Sequence, residues 1–94
     1  MSIVELRGRL ICAHGQDAMI VRRHLPQHIE LTRAEPGCLR FDVQQSDDPL
    51  AWTVSEEFVS QAALDMHQAR VRAGDWGRAT VGIKRDYAIS YAGT

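Results

Sequence analysis

His28-Ile29-Glu30-Leu31-Thr32-Arg33-Ala34-Glu35-Pro36-Gly37-Cys38-Leu39-Arg40-Phe41 carries the end of a helix into the start of a strand. Before it, Ala18, Val21, Leu25, His28 and Thr32 recur at helical spacing, flanked by His24 and Ile29, with Arg22, Arg23, Gln27, Glu30 and Arg33 opposite. One face is therefore apolar apart from an inward histidine. Asp17 is placed to cap this helix, which is expected to run to about Ala34, and Pro26 on its polar face is expected to kink it without breaking it. Glu35-Pro36-Gly37 stops it, because the residue before a proline avoids the α region and glycine tolerates positive φ. Leu39, Phe41 and Val43 then alternate with Arg40, Asp42 and Gln44, the period of a strand over residues 38–45.

Upstream, Val4, Leu6, Gly8, Leu10 and Cys12 alternate with Glu5, Arg7, Arg9 and Ile11, which predicts a first strand. Gly8 leaves a gap in its apolar row that a bulge, a close backbone or a ligand would fill. Downstream, Ser46-Asp47-Asp48-Pro49 is a turn, and residues 51–58 form a strand with Trp52, Val54, Glu56 and Phe58 on one face. Ser60 caps a second helix expected to reach Val71, with Ala63, Met66, His67 and Arg70 inward. Residues 75–80 suit a short helical turn in which Trp76 has no periodic face to explain it and is a candidate lid. A last strand over residues 82–90 puts Ile83, Arg85, Tyr87 and Ile89 on one face, where Arg85 is expected to pair with Glu56, since a buried carboxylate is costly alone.

The order β-α-β-β-α-β in 94 residues predicts a single domain of the α+β class. It is a ferredoxin-like unit, a four-stranded antiparallel sheet with both helices on one face. The other face holds Glu5, Arg7, Arg9, Arg40, Asp42, Thr53, Glu57, Lys84 and Asp86, to be solvated or paired across a two-fold axis with a second copy. A net charge of −1 with scattered arginines argues against a nucleic acid or an anionic membrane as partner. No apolar run approaches the roughly 20 residues of a membrane span, and no export signal is evident at Met1, so a cytoplasmic location is expected. Cys12 and Cys38 fit reduced thiols, not a disulfide framework or a zinc site.

The segments His28–Val43, Trp52–Phe58 and His67–Arg70 together resemble the antibiotic biosynthesis monooxygenase family, most specifically in Glu35-Pro36-Gly37-Cys38 and in Glu56-x-Phe58 with a histidine eleven residues after the Glu. The resemblance implies a dimeric α+β barrel, two ferredoxin-like units packed sheet against sheet as a homodimer. It also implies oxidation of a small phenolic or quinol-type aromatic by O2 without metal, flavin or haem, the substrate itself supplying the electrons. Under that reading His67 and His28 are the catalytic candidates, and Phe41, Trp52, Phe58, Arg70, Trp76 and Tyr87 the substrate-binding ones. The chain departs from relatives at Phe58, where many carry Trp, and at Arg72, where quinol-oxidising members carry a second histidine.

Each candidate has a plainer reading beside it. His67 is a base or an interior hydrogen-bonded imidazole; His28 lines a pocket or merely packs; Glu56 is functional or is half of an ion pair with Arg85; the aromatic rows are core. His24 and His28 at i, i+4 with Glu56 or His67 imitate an iron triad, but that spacing is common by chance and no metal site is assigned. Haem degradation is not expected, since relatives that perform it use an asparagine and this chain has none. The alternatives to an oxygenase are a non-catalytic dimeric binding module and, more remotely, an isomerase of a small oxygenated metabolite.

Overall fold

The computed structural model describes residues 2–92. Strand β1 (Ile3–Ile11) leads into helix α1 (Gly15–Arg33), followed by the hairpin β2 (Cys38–Gln45) and β3 (Ala51–Phe58). Helix α2 (Gln61–Ala73), the short helix α3 (Asp75–Ala79) and strand β4 (Lys84–Ala92) complete the chain. The sheet order is β2-β3-β1-β4, with every neighbouring pair antiparallel. This is the ferredoxin-like arrangement, with the predicted turn at residues 75–80 present as a third helix.

The inner face of α1 is the one its spacing predicts: Ala18, Val21, Leu25, His28 and Thr32 are its buried residues. The helix runs unbroken through Pro26, which lies exposed, where a missing N–H costs least. Its cap is His14 and not Asp17. The His14 Nδ1 accepts from the Asp17 N–H, and the Asp17 carboxylate reaches back to the Ala13 N–H at 3.1 Å, a reciprocal cap. Ser60 caps α2 by accepting from the Ala63 N–H at 3.1 Å. Met66, expected inward, is 73 % exposed; the inward positions of α2 are Leu64 and His67.

Two glycines are fixed by close approach, not by turn geometry. Gly37 does not adopt positive φ; a Cβ there would come 2.5 Å from the Ala63 Cβ, so its bareness lets the helix–strand corner lie against α2. At Gly8 the gap is filled by backbone, since an added Cβ would collide with the Asp86 carbonyl oxygen and the Tyr87 Cα across the β1–β4 pair.

The core has two parts. Leu6, Leu10, Cys12, Ala18, Val21, Leu25, Trp52, Val54 and Ile83 form the larger, and Val4, Phe58 and Leu64 the smaller. Along β3 the boundary between them falls at Glu56, a carboxyl between Val54 and Phe58. The opposite sheet face carries a lattice of charges, with Arg40 to Asp42 at 2.8 Å, Arg40 to Glu57 at 3.4 Å and Arg7 to Glu5 at 3.8 Å. Among the described residues no helix is long and apolar enough to cross a membrane.

Replacing Gly8 by Ala is expected to cost about 1–3 kcal/mol, because the added methyl must push β4 away from β1. Urea unfolding of Gly8→Ala checks this, and an unchanged midpoint would contradict the close approach.

Candidate functional site

Between the helices and the sheet lies a cavity of about 390 Å³. Leu6, Leu10, Phe41, Val43, Val54, Val71, Trp76 and Tyr87 wall it, and Glu56, His28, His67, Gln68, Arg72 and Arg85 supply its polar groups. Each arrives for a local reason. His28 is the fourth turn of α1's inner stripe, Glu56 the third inward residue of β3, and His67 stands one turn after Leu64 on α2. All three are only 5 % exposed.

His67 is held by a residue that hydrophobic periodicity passes over. The Glu35 carboxylate lies 3.0 Å from the His67 Nδ1 and also accepts from the Arg70 Nε–H, while Arg70 reaches the Thr32 hydroxyl at 2.9 Å. A carboxylate only accepts, so Nδ1 carries the proton and the neutral ring presents the Nε2 lone pair on its other side. That Nε2 faces the Glu56 Oε1 at 3.9 Å, too far for a hydrogen bond and right for a bridging hydroxyl. Glu56 Oε1 and His28 Nδ1 are both buried without a hydrogen-bond partner among the described residues. Unmade bonds of this kind cost about 1–3 kcal/mol each, and a ligand that supplies them recovers that cost.

Burial sets the protonation states. It pushes the Glu56 carboxyl up to about 7, with the nearby Glu35 charge adding to the push. It pulls His28 down to about 3, helped by His67, Arg70 and Arg85. His67 is lowered as well, by burial first, against the opposing pull of Glu35. Burial raises the Tyr87 phenol to about 12, so it stays protonated. At neutral pH the cavity therefore holds two neutral imidazoles and one carboxyl poised to give or take a proton, so the Glu56–His67 contact is not an ion pair.

The aromatic residues divide. The Trp76 ring stacks on His28 at 4.5 Å and 5° and so covers one wall, while Phe41 meets His28 edge-on at 5.2 Å. Trp52 is only 2 % exposed within the larger core and does not line the cavity. Phe58 packs behind His67 at 5.1 Å with Val4 and Leu64. Arg70 faces Glu35 rather than the cavity. The expected Glu56–Arg85 ion pair is not formed. Arg85 donates instead to the Thr80 carbonyl at 2.6 Å, the Ile83 carbonyl at 2.9 Å and the Thr80 hydroxyl at 2.6 Å. The sheet explains it: Glu56 pairs with Leu6 and Arg85 with Leu10, on opposite sides of β1. The two backbones are thus about 13 Å apart along the strands and about 10 Å apart across them. Glu35 and Gln68 are the residues at the site that sequence reasoning missed, and Arg72, marked in the sequence only as a departure from relatives, borders the cavity. The one available signal for Glu35 was its place in the Glu-Pro-Gly-Cys run. No three His, Cys, Asp or Glu side chains among the described residues are grouped to hold a metal ion.

A ferredoxin-like unit enclosing an apolar cavity with a few convergent polar groups is the build of a small-molecule site. The chain belongs to the antibiotic biosynthesis monooxygenase family, whose model matches residues 13–78. Solved structures share the whole fold. PA3566 from Pseudomonas aeruginosa is similar at 23 % identity and a TM-score of 0.74, over 97 % of this chain and 92 % of that one. Rv0793 from Mycobacterium tuberculosis is 26 % identical with a TM-score of 0.68, over 99 % and 95 %. SnoaB from Streptomyces nogalater, described as a cofactor-independent oxygenase, is 9 % identical with a TM-score of 0.74, over 100 % and 96 %. No curated protein matches the chain.

The titrations give a signed prediction. Unfolded, Glu56 loses its proton near 4.5; folded, it keeps it to about 7, so its contribution to stability is full below 4.5 and falls as the pH rises to about 7. The imidazoles act oppositely: His28, near 6.5 unfolded and about 3 folded, contributes fully above 6.5 and loses that contribution as the pH falls. Glu56→Gln removes only the first effect. Relative to wild type it is expected to gain roughly 2 kcal/mol between pH 5 and pH 8 in urea titrations, and a gap that does not change with pH would contradict the assignment.

Proposed function

We propose that the cavity is the active site of a cofactor-independent monooxygenase that oxidises a small phenolic or quinol-type aromatic with O2. The observation that carries this reading is the burial of His28, Glu56 and His67 on one apolar cavity, with the Nδ1 of His28 and the Oε1 of Glu56 unpartnered. Family membership supports it, as does the likeness of fold to SnoaB.

His67 is the proton acceptor. A phenolic O–H donates to its Nε2, and the imidazolium that forms is stabilised by Glu35 at Nδ1. The phenolate is reducing enough to pass an electron to O2, and the apolar walls and Trp76 keep water from the intermediates. The balance closes without an external reductant. Phenol plus O2 gives quinone plus water: one oxygen atom enters the ring, the other leaves as water with the phenolic and ring hydrogens, and the four electrons O2 takes come from the substrate. Glu56, protonated below about 7, donates a hydrogen bond to a substrate or oxygen-derived oxygen. His28, stacked on Trp76, positions the ring. Phe41 and Tyr87 wall the cavity, and Arg70 acts on substrate only through Glu35.

The functional unit in this reading is a homodimer, built by the sheet face that bears Arg7, Arg40, Asp42 and Glu57 and that no helix covers; light scattering at micromolar concentration should give twice the chain mass.

Oxygen uptake by metal-stripped protein, against a panel of hydroquinones and anthrones, tests the chemistry. Uptake above autoxidation is expected to fall about 100-fold or more in His67→Gln, which keeps a donor for Glu35, and about tenfold in Glu35→Gln, whose imidazole loses its orientation. No uptake by wild type, with ligand still bound, would assign the cavity to a non-catalytic binding module.

A further inference from the structure

Two guanidinium groups line the cavity without an acidic partner. Among the described residues Arg72 makes no side-chain hydrogen bond and no ion pair, although it borders the cavity from the last turn of α2. Arg85 is held by Thr80 and Ile83, which offer neutral oxygens and leave its charge uncompensated. Among the described residues the one acid on the cavity is Glu56, whose carboxyl burial pushes up to about 7, and at neutral pH both imidazoles are neutral. The other acid close by, Glu35, is already engaged by Arg70 and His67. The cavity thus carries net positive charge, and its polar groups are sorted by depth. Arg72 is exposed at the mouth, and the unpartnered Glu56 Oε1 and His28 Nδ1 lie buried at the floor.

We infer that the cavity takes a hydroxyaromatic anion, its carboxylate on Arg72 at the mouth and its hydroxyl among Glu56, His28 and His67 at the floor. A planar guanidinium matches a carboxylate through two parallel N–H donors, which fixes the direction in which the ligand enters as well as its charge. The hydroxyl supplies the floor with the donor and acceptor it lacks; the flat ring between them meets Phe41, Trp76 and Tyr87. A cation in the same place would be repelled at the mouth, and a neutral arene would leave Arg72 unpaired. This inference rests on the cavity being the substrate site of the proposed function, but it concerns binding and needs no turnover.

The test pairs 6-hydroxy-2-naphthoate with its neutral isostere 6-hydroxy-2-naphthamide in calorimetric titrations of the wild type and Arg72→Gln. Wild type is expected to favour the acid about three- to fivefold, the upper range of a solvent-facing ion pair, and added salt should shrink that margin. In Arg72→Gln the margin is expected to fall within about twofold, and the exposed position should leave the melting temperature nearly unchanged. Equal binding of acid and amide by wild type, binding of neither, or a preference that survives in the variant each overturns the inference. Absence of oxygen uptake alongside an intact acid preference would count against the oxygenase reading alone, and uptake without charge preference against this inference alone.

Discussion

The interior depends on one carboxylate. Glu35 stands at the stop of α1 and binds His67 and Arg70 from α2, so a single side chain joins the two long helices above the sheet. Arg70 extends the knot to Thr32, fully buried on α1. The ring orientation of His67, the tautomer it adopts and the lone pair it offers the cavity all follow from this contact. Gly37 serves the same corner, since only a residue without a Cβ lets the segment after Glu35 lie close enough to α2.

A second chain of bonds sets the far wall. Arg85 donates to the Thr80 hydroxyl, and that hydroxyl donates to the Trp76 carbonyl at 2.6 Å, so β4 holds the end of α3 in place. Trp76 is thereby stacked on His28 and the cavity has a fixed side. Burying three titratable groups together is tolerable because none need be charged: the imidazoles are driven neutral and Glu56 is driven toward its acid form by the same desolvation. The cost that remains sits in the two unmade hydrogen bonds at the cavity, where a ligand recovers it.

Periodicity carried the fold a long way. The two-residue alternation of β1 and β3 and the stripe of α1 identified the buried faces residue by residue and placed His28 and Glu56 inward, and the looser stripe of α2 placed His67 inward but Met66 wrongly, because burial of a face is a local property of spacing. Partnership is not local. Glu56 and Arg85 occupy equivalent inward rows, yet β1 runs between their strands with a register that separates them, and register is not written in either strand alone. Glu35 was read only as part of the helix stop because it belongs to no periodic face; its role arises where that stop meets a second helix 32 residues later. Trp52 and Trp76 show the same limit from the other side: Trp52, placed by alternation, is core, while Trp76, which no period explained, borders the cavity.

The cavity keeps a proton on Glu56 to near neutral pH, opposite a neutral His67. Carbon NMR of protein labelled at the glutamate carboxyls reads it directly, with the Glu56 signal identified by its loss in Glu56→Gln. A titration midpoint near 7 is expected for that carboxyl. A midpoint at the ordinary value near 4.5 would mean a solvated carboxylate, and would contradict it.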